Sequence, residues 1–201
     1  MRQLHIGGQV RTEGWEVLDA LAGPAVDHVG DAKDLSRFPD ATFSKVYASH
    51  VLEHFDYKDE LLAVVKEWYR VLTPDGLLYI SVPDMDTLCQ IFCEREQLKL
   101  EQRFMIMRML FGGHCTPYDY HKTGLNQEFL VLFLSEAGFQ HIERVPEFNI
   151  FQDTSSLKFG EVLISVNLIA YKKKSPKPPD LTSAPCPCGS GKPFKECHGA
   201  K

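Results

Sequence analysis

Four metal-type ligands stand within thirteen residues near the C-terminus: Cys186, Cys188, Cys197 and His198, in the segment CPCGSGKPFKECHG. Thiolate sulfur and imidazole nitrogen are the donors that tetrahedral Zn²⁺ selects. Gly189 and Gly191 let so short a chain fold back on itself, where burial alone could not fold it. The same glycines followed by Lys192 imitate part of a phosphate-binding loop. No glycine stands five positions before Gly191 and Pro193 replaces the Ser/Thr, so that reading fails.

Two further stretches gather ionisable groups. In SHVLEH, Ser49, His50, Glu53 and His54 follow the apolar run Val46, Tyr47 and Ala48. In FGGHCTPYDYHKTG, residues 111–124, His114, Cys115, Tyr118, Asp119, Tyr120, His121 and Lys122 are bounded by glycines, the composition of a binding loop. There His121 titrates nearest neutrality and is the candidate general base, with Asp119 to orient it. The spacing of His114, Cys115, Asp119 and His121 matches no closed zinc pattern. A hydrogen-bonded structural loop is the alternative, and it stays open, as do structural roles for Glu53 and His54.

The elements that must position these groups follow from apolar periodicity. Residues 45–84 read as strand, loop, helix, tight turn and strand, a βαβ unit. Its helix carries Leu61, Val64, Val65, Trp68, Val71 and Leu72 at helical spacing, with Asp56 as candidate cap and a stop at Thr73, Pro74, Asp75 and Gly76. Residues 77–82 are apolar at nearly every position, as in a strand covered on both faces. Upstream, Leu4, His5 and Ile6 form a short strand ending in Gly7 and Gly8. Residues 15–18 form a second strand ending in Asp19, and 26–29 a third, followed by Gly30, Asp31 and Ala32. Ligands of open α/β sheets bind at such carboxyl ends. A carboxylate closing the second strand can accept two hydroxyl hydrogen bonds. Too few residues separate the first two strands for a crossover helix.

Downstream, 84–111 reads as a long helical lid that is Met-rich towards its end, with Cys89 and Cys93 as small buried side chains. Asn126 caps a helix that Gly138 closes, and 141–145 and 163–171 complete the sheet.

Taken together, LHIGG, GWEVLD, GDAKDLSRFPDATFSKVYASHVLEHF and EWYRVLTPDGLLYISVPD resemble the class I S-adenosylmethionine-dependent methyltransferases, type 11-like with a truncated first unit. The resemblance spans 4–171 and implies an α/β, Rossmann-like, seven-stranded sheet, mostly parallel with an antiparallel last strand. It implies Gly7 and Gly8 near the methionine part of the cofactor, Asp19 near its ribose, and Asp31 and Ala32 near its adenine. Ser49 and His50 would form the wall below the sulfonium. Gln9 stands where the family's glycine loop usually has its second glycine. The C-terminal segment resembles the SEC-C motif of the bacterial preprotein translocase motor, which implies zinc-dependent docking to a protein or the ribosome. The expected organisation is a methyltransferase-like domain over 1–171, a Lys- and Pro-rich linker over 172–185 and a zinc-binding motif over 186–199. The expected activity is methyl transfer to an acceptor that these residues leave open between glycan, lipid-linked and protein. The alternative, which Gln9 and the short first unit favour, is an inactive module that recruits partners through its zinc tail.

Composition bounds these readings. A hydrophobic share of 44% with 24% charged residues is that of an ordinary folded chain. No apolar run approaches the length of a membrane span, and MRQLHIGG is not a secretion signal, so the expectation is a cytoplasmic protein with reduced thiols. From Lys172 onward seven lysines face two acids, and the remainder carries 15 basic and 25 acidic residues. So acidic a body argues against a broad nucleic-acid surface.

Overall fold

The computed structural model describes residues 1–173. The linker and the four ligands Cys186, Cys188, Cys197 and His198 lie almost entirely, the ligands wholly, outside the described residues.

Nine strands and four α-helices follow in the order β1 (Gln3–Ile6), β2 (Glu16–Asp19), β3 (His28–Val29), β4 (Phe43–Ser49), α1 (Leu61–Val71), β5 (Leu72–Pro83), α2 (Met85–Cys93), α3 (Leu100–Phe111), α4 (Gln127–Ala137), β6 (His141–Arg144), β7 (Lys158–Phe159), β8 (Val162–Leu163) and β9 (Ser165–Tyr171). Seven strands form one sheet in the order β3-β2-β1-β4-β5-β9-β6, and β7 with β8 makes a separate hairpin. The pairs among β1 to β5 are parallel, while β9 runs antiparallel to both β5 and β6. The expected mostly parallel sheet with an antiparallel last strand is therefore present. No helix among the described residues is long and apolar enough to cross a membrane.

α1 forms because Leu61, Val64, Val65, Trp68 and Val71 share one face, and all five are buried. Its first turn departs from expectation. Asp56 does not cap the helix; its side chain accepts from the Lys58 amide, starting a turn, and Glu60 holds the cap position. The Trp68 indole Nε1 donates to the Ala32 carbonyl at 2.8 Å, tying the helix to the segment after β3. At the far end, Lys172 Nζ donates to the carbonyls of Tyr69 at 2.8 Å and Leu72 at 2.6 Å, capping the C-terminus of α1.

α1 packs against α4, and both bury their apolar stripes on Leu4, Ile6, Leu18, Val46, Ala48, Leu78, Ile80 and Val82. The connections from β1 to β2 and from β2 to β3 contain no helix, as the short spacing required. The opposite face is covered instead by the segment before β7. Phe151 stacks on the His5 ring at 4.1 Å and packs edge-on to Trp15 at 5.2 Å and Tyr47 at 4.6 Å. The Tyr47 hydroxyl donates to Asp153 at 2.8 Å.

The single lid helix expected over 84–111 is two helices. Asp84 caps α2, accepting from the Asp86 amide, and the chain breaks over Glu94, Arg95 and Glu96, which bring no apolar side chain to hold a continuing turn. α2 and α3 close a small core of their own around Leu88, Ile106 and Ile164. Cys89 and Cys93 are exposed, not buried. Phe104 and Met105 also point to solvent.

Candidate functional site

A cleft of about 560 Å³ opens at the carboxyl ends of β1, β2 and β3. Gly7, Asp19, Asp31, Ala32 and His50 line it, five of the seven residues that the sequence assigned to a cofactor. Gly7 takes φ +75° and a Cβ there would stand 2.6 Å from Val51 Cγ2, so only glycine fits. Asp19 accepts from the Leu21 amide through Oδ1 at 2.7 Å and has no partner for Oδ2 among the described residues. Asp31 accepts from the Lys33 amide at 3.0 Å. Gln9, the departure in the glycine loop, lies on the cleft wall.

The other two residues lie elsewhere. Gly8 faces the aromatic cover, where a Cβ would sit 2.6 Å from His5 Nδ1. Ser49 meets Thr154 at 3.4 Å on that same side. Strand alternation explains Ser49: it falls on the face opposite to Ala48.

Residues 116–122, not α2 and α3, form the cleft's roof. The loop is stitched to SHVLEHF by backbone bonds from the Lys122 and Thr123 amides to the Glu53 carbonyl at 2.8 and 3.1 Å. The Thr123 hydroxyl adds a bond of 2.7 Å to the Phe55 carbonyl. At the rim Glu60 accepts from Lys33 at 3.1 Å and from Lys122 at 3.0 Å, joining the β3 side of the cleft to its roof. No sequence signal pairs residues so far apart.

Asp119 does not orient His121. It accepts from the Cys115 amide at 3.1 Å and organises its own loop, with burial too slight to offset those bonds, so its carboxyl lies below the usual range. The group His114, Cys115, Asp119 and His121 does not converge on one point: His114 bonds the Phe111 carbonyl, and its ring stacks on Tyr120.

His121 instead faces Glu53, with Nε2 3.9 Å from Oε1, and His50 Nδ1 stands 3.6 Å from the same oxygen. Glu53 is 1% exposed and neither carboxylate oxygen has a hydrogen-bond partner. Burial pushes its carboxyl up to about 8. Burial pushes the imidazoles of His50 and His121 down to about 4. His54 meets His121 edge-on at 4.9 Å between ring centroids and, with His50, reaches the cleft wall. His50 is held at φ +54°, a left-handed conformation costly for a side chain of its size. Glu53 and His54, left open by the sequence, thus form one cluster with the expected base.

A family model described as a methyltransferase domain matches residues 15–80, and one for the SEC-C motif matches 183–200. No curated protein matches the sequence. Among solved structures, an S-adenosylmethionine-dependent methyltransferase from Archaeoglobus fulgidus is 18% identical, with 85% of this chain and 86% of that one covered and a TM-score of 0.54. The 1,6-didemethyltoxoflavin-N1-methyltransferase of Burkholderia thailandensis, solved with its substrate and S-adenosylhomocysteine, is 15% identical over 86% of this chain and 71% of that one, at 0.52. The CurJ carbon methyltransferase is 16% identical over 87% of this chain at 0.51, and the chain spans 49% of its length. At these identities the likeness is one of fold. Residues 15–80 thus match a methyltransferase domain and 183–200 a SEC-C motif, and the sheet has the fold of the S-adenosylmethionine-dependent methyltransferases.

Proposed function

We propose that the domain transfers a methyl group from S-adenosylmethionine to an acceptor that enters beneath the 116–122 loop. What carries the reading is the cleft at the strand ends, where Gly7, Asp19, Asp31 and Ala32 meet at the pole that takes ligands in open α/β sheets. Its volume, about 560 Å³, suits a small-molecule cofactor. Gly7 leaves bare backbone on the wall, Asp19 Oδ2 is free for a ribose hydroxyl, and Asp31 and Ala32 flank the remainder. The bound cofactor supplies a methyl group activated on a sulfonium. The protein's work is then to align the acceptor, exclude water and take up a proton where the acceptor carries one. The roof loop, fastened through Thr123 and the Glu60 pairs, serves the exclusion. Proton uptake falls to His50, which lines the cleft; His121, the base expected from sequence, stands behind it.

The acceptor belongs to the same proposal only as a class open to glycan, lipid-linked or protein molecules. Cys186, Cys188, Cys197 and His198 hold Zn²⁺ in this reading and dock the domain to a protein partner. Titration calorimetry of the full chain with S-adenosylmethionine tests the first part. One site per chain is expected, weakened at least about tenfold by Asp19→Ala, the loss of a bidentate acceptor. No heat at millimolar cofactor would leave the adaptor reading, which the helix-free first connection and Gln9 favour. Metal analysis tests the second part: zinc bound by the tail should disappear when Cys186 and Cys188 become Ser.

A further inference from the structure

We propose that Glu53, His54 and His121 form a divalent-metal site, of the Zn²⁺ class, in the floor of the cleft. One ligand atom from each of the three lies within 4.8 Å of the others. The carboxylate is the reason to invoke a cation. It is buried to 1% exposure, both oxygens are unpartnered, and leaving such a group unpaired costs several kcal/mol, of order 1–3 or more.

The surrounding hydrogen bonds aim lone pairs, not protons, at it. The Ser165 hydroxyl donates to the Thr154 carbonyl at 3.1 Å, so at 2.9 Å it must accept from His50 Nε2–H. His50 therefore turns an unprotonated Nδ1 towards Glu53 Oε1 at 3.6 Å. His54 Nδ1–H donates to the Tyr120 carbonyl at 3.1 Å, which leaves Nε2 as its lone-pair nitrogen. For His54 this is the kind of outer bond that fixes the tautomer and orientation of a metal-binding imidazole. His121 Nε2 completes the set at 3.9 Å from Oε1.

At 3.6 and 3.9 Å these nitrogens are too distant to share a proton with the Glu53 carboxyl, so it stays without a partner unless a cation stands between them. Ligands of a tetrahedral ion with bonds of about 2.1 Å stand about 3.4 Å apart. Closing the site takes about 0.5 Å between Glu53 and His121, and at most about 1.4 Å for a pair at the 4.8 Å limit. Two imidazoles with one carboxylate suit Zn²⁺ and leave a fourth position open, as in catalytic zinc centres. His50 flanks that position and lines the cleft, so an oxygen donor in the cleft can fill it.

The inference is independent of cofactor binding, and its test reads metal directly. The full chain carrying Cys186→Ser and Cys188→Ser, which removes two of the tail's three thiolates and with them its four-ligand set, is stripped with chelator and titrated with Zn²⁺ by calorimetry. One further ion per chain is expected, with a rise in Tm on binding. Glu53→Gln and His121→Ala should each weaken it at least about 100-fold, while circular dichroism reports that they remain folded. Absence of binding to this double variant with Glu53 intact overturns the proposal whatever the further variants do. So does binding that Glu53→Gln leaves unchanged. S-adenosylmethionine titrated under chelator tests the methyltransferase reading separately, so either can fail alone.

Discussion

On one face of the sheet, α1 and α4 bury an aliphatic surface built from alternate residues of β1, β4 and β5, with Trp68 wholly enclosed. On the other, where no helix joins β1 to β2 or β2 to β3, one segment lays Phe148, Phe151 and Asp153 over His5, Trp15 and Tyr47. The first face is held by area and close packing, which are non-directional and cooperative. The second depends on oriented rings and a few hydrogen bonds, among them the Asn167 side-chain bonds to the Pro146 and Ser155 carbonyls at 3.0 and 2.9 Å. A sheet that has lost helices on one side can stay closed if polar aromatics replace aliphatics there. Through His5 that side then contributes a pH dependence that the aliphatic face lacks.

Trp68→Ala should expose the strongest contrast, costing about 3–5 kcal/mol in denaturant unfolding through lost volume and the lost bond to Ala32. A loss under about 1 kcal/mol would mean that the helical face does not dominate. Phe151→Ala, on a half-buried ring, should cost about 1–3 kcal/mol. Hydrogen exchange should quicken locally over 146–157, with the amides of α1 unaffected.

The pH dependence separates the faces by the shape of the unfolding profile. Burial holds His5 at about 4, below its ordinary 6.5, against a smaller opposing pull from Asp153. Between those values the unfolded chain binds the extra proton. The contribution is thus full above about pH 6.5 and lost as pH falls towards 4, at no more than about 1.4 kcal/mol per pH unit. His5→Phe should flatten that share of the unfolding profile, whereas Trp68→Ala should lower the whole curve in parallel. The smallest effect belongs to the rim. Glu60→Ala should change stability by less than about 1 kcal/mol, because its pairs with Lys33 and Lys122 are solvent-exposed. It should nonetheless speed cofactor dissociation in stopped-flow experiments by freeing the roof.

The helical face was legible in the sequence because its cause is local: Leu61 to Val71 repeats at helical spacing, and the strands it covers are apolar runs. The strand ends were legible for the same reason, so Gly7, Asp19, Asp31 and His50 were found in order. The aromatic cover was not. Nothing near Phe151 announces that it will meet His5, because long-range loop packing leaves no period. The same limit hid the partner of His121. Asp119 was nearer in sequence, yet the chain folds back so that Glu53, 68 positions away, stands opposite the ring. The split between α2 and α3 escaped because apolar residues on both sides of Glu94, Arg95 and Glu96 were read as one run, while those three residues carry no proline or glycine to mark a break.

The reversed direction of β9 has a further consequence. Tyr171 pairs with Leu77, at the start of β5, so the chain leaves the sheet at the pole opposite the cleft, where Lys172 grips the end of α1. In the proposed reading, a partner docked by the C-terminal motif is tethered from this end of the domain. Such a leash raises the local concentration of acceptors around the mouth without competing for it. Choice of target can then be made by address rather than by the fit of the pocket.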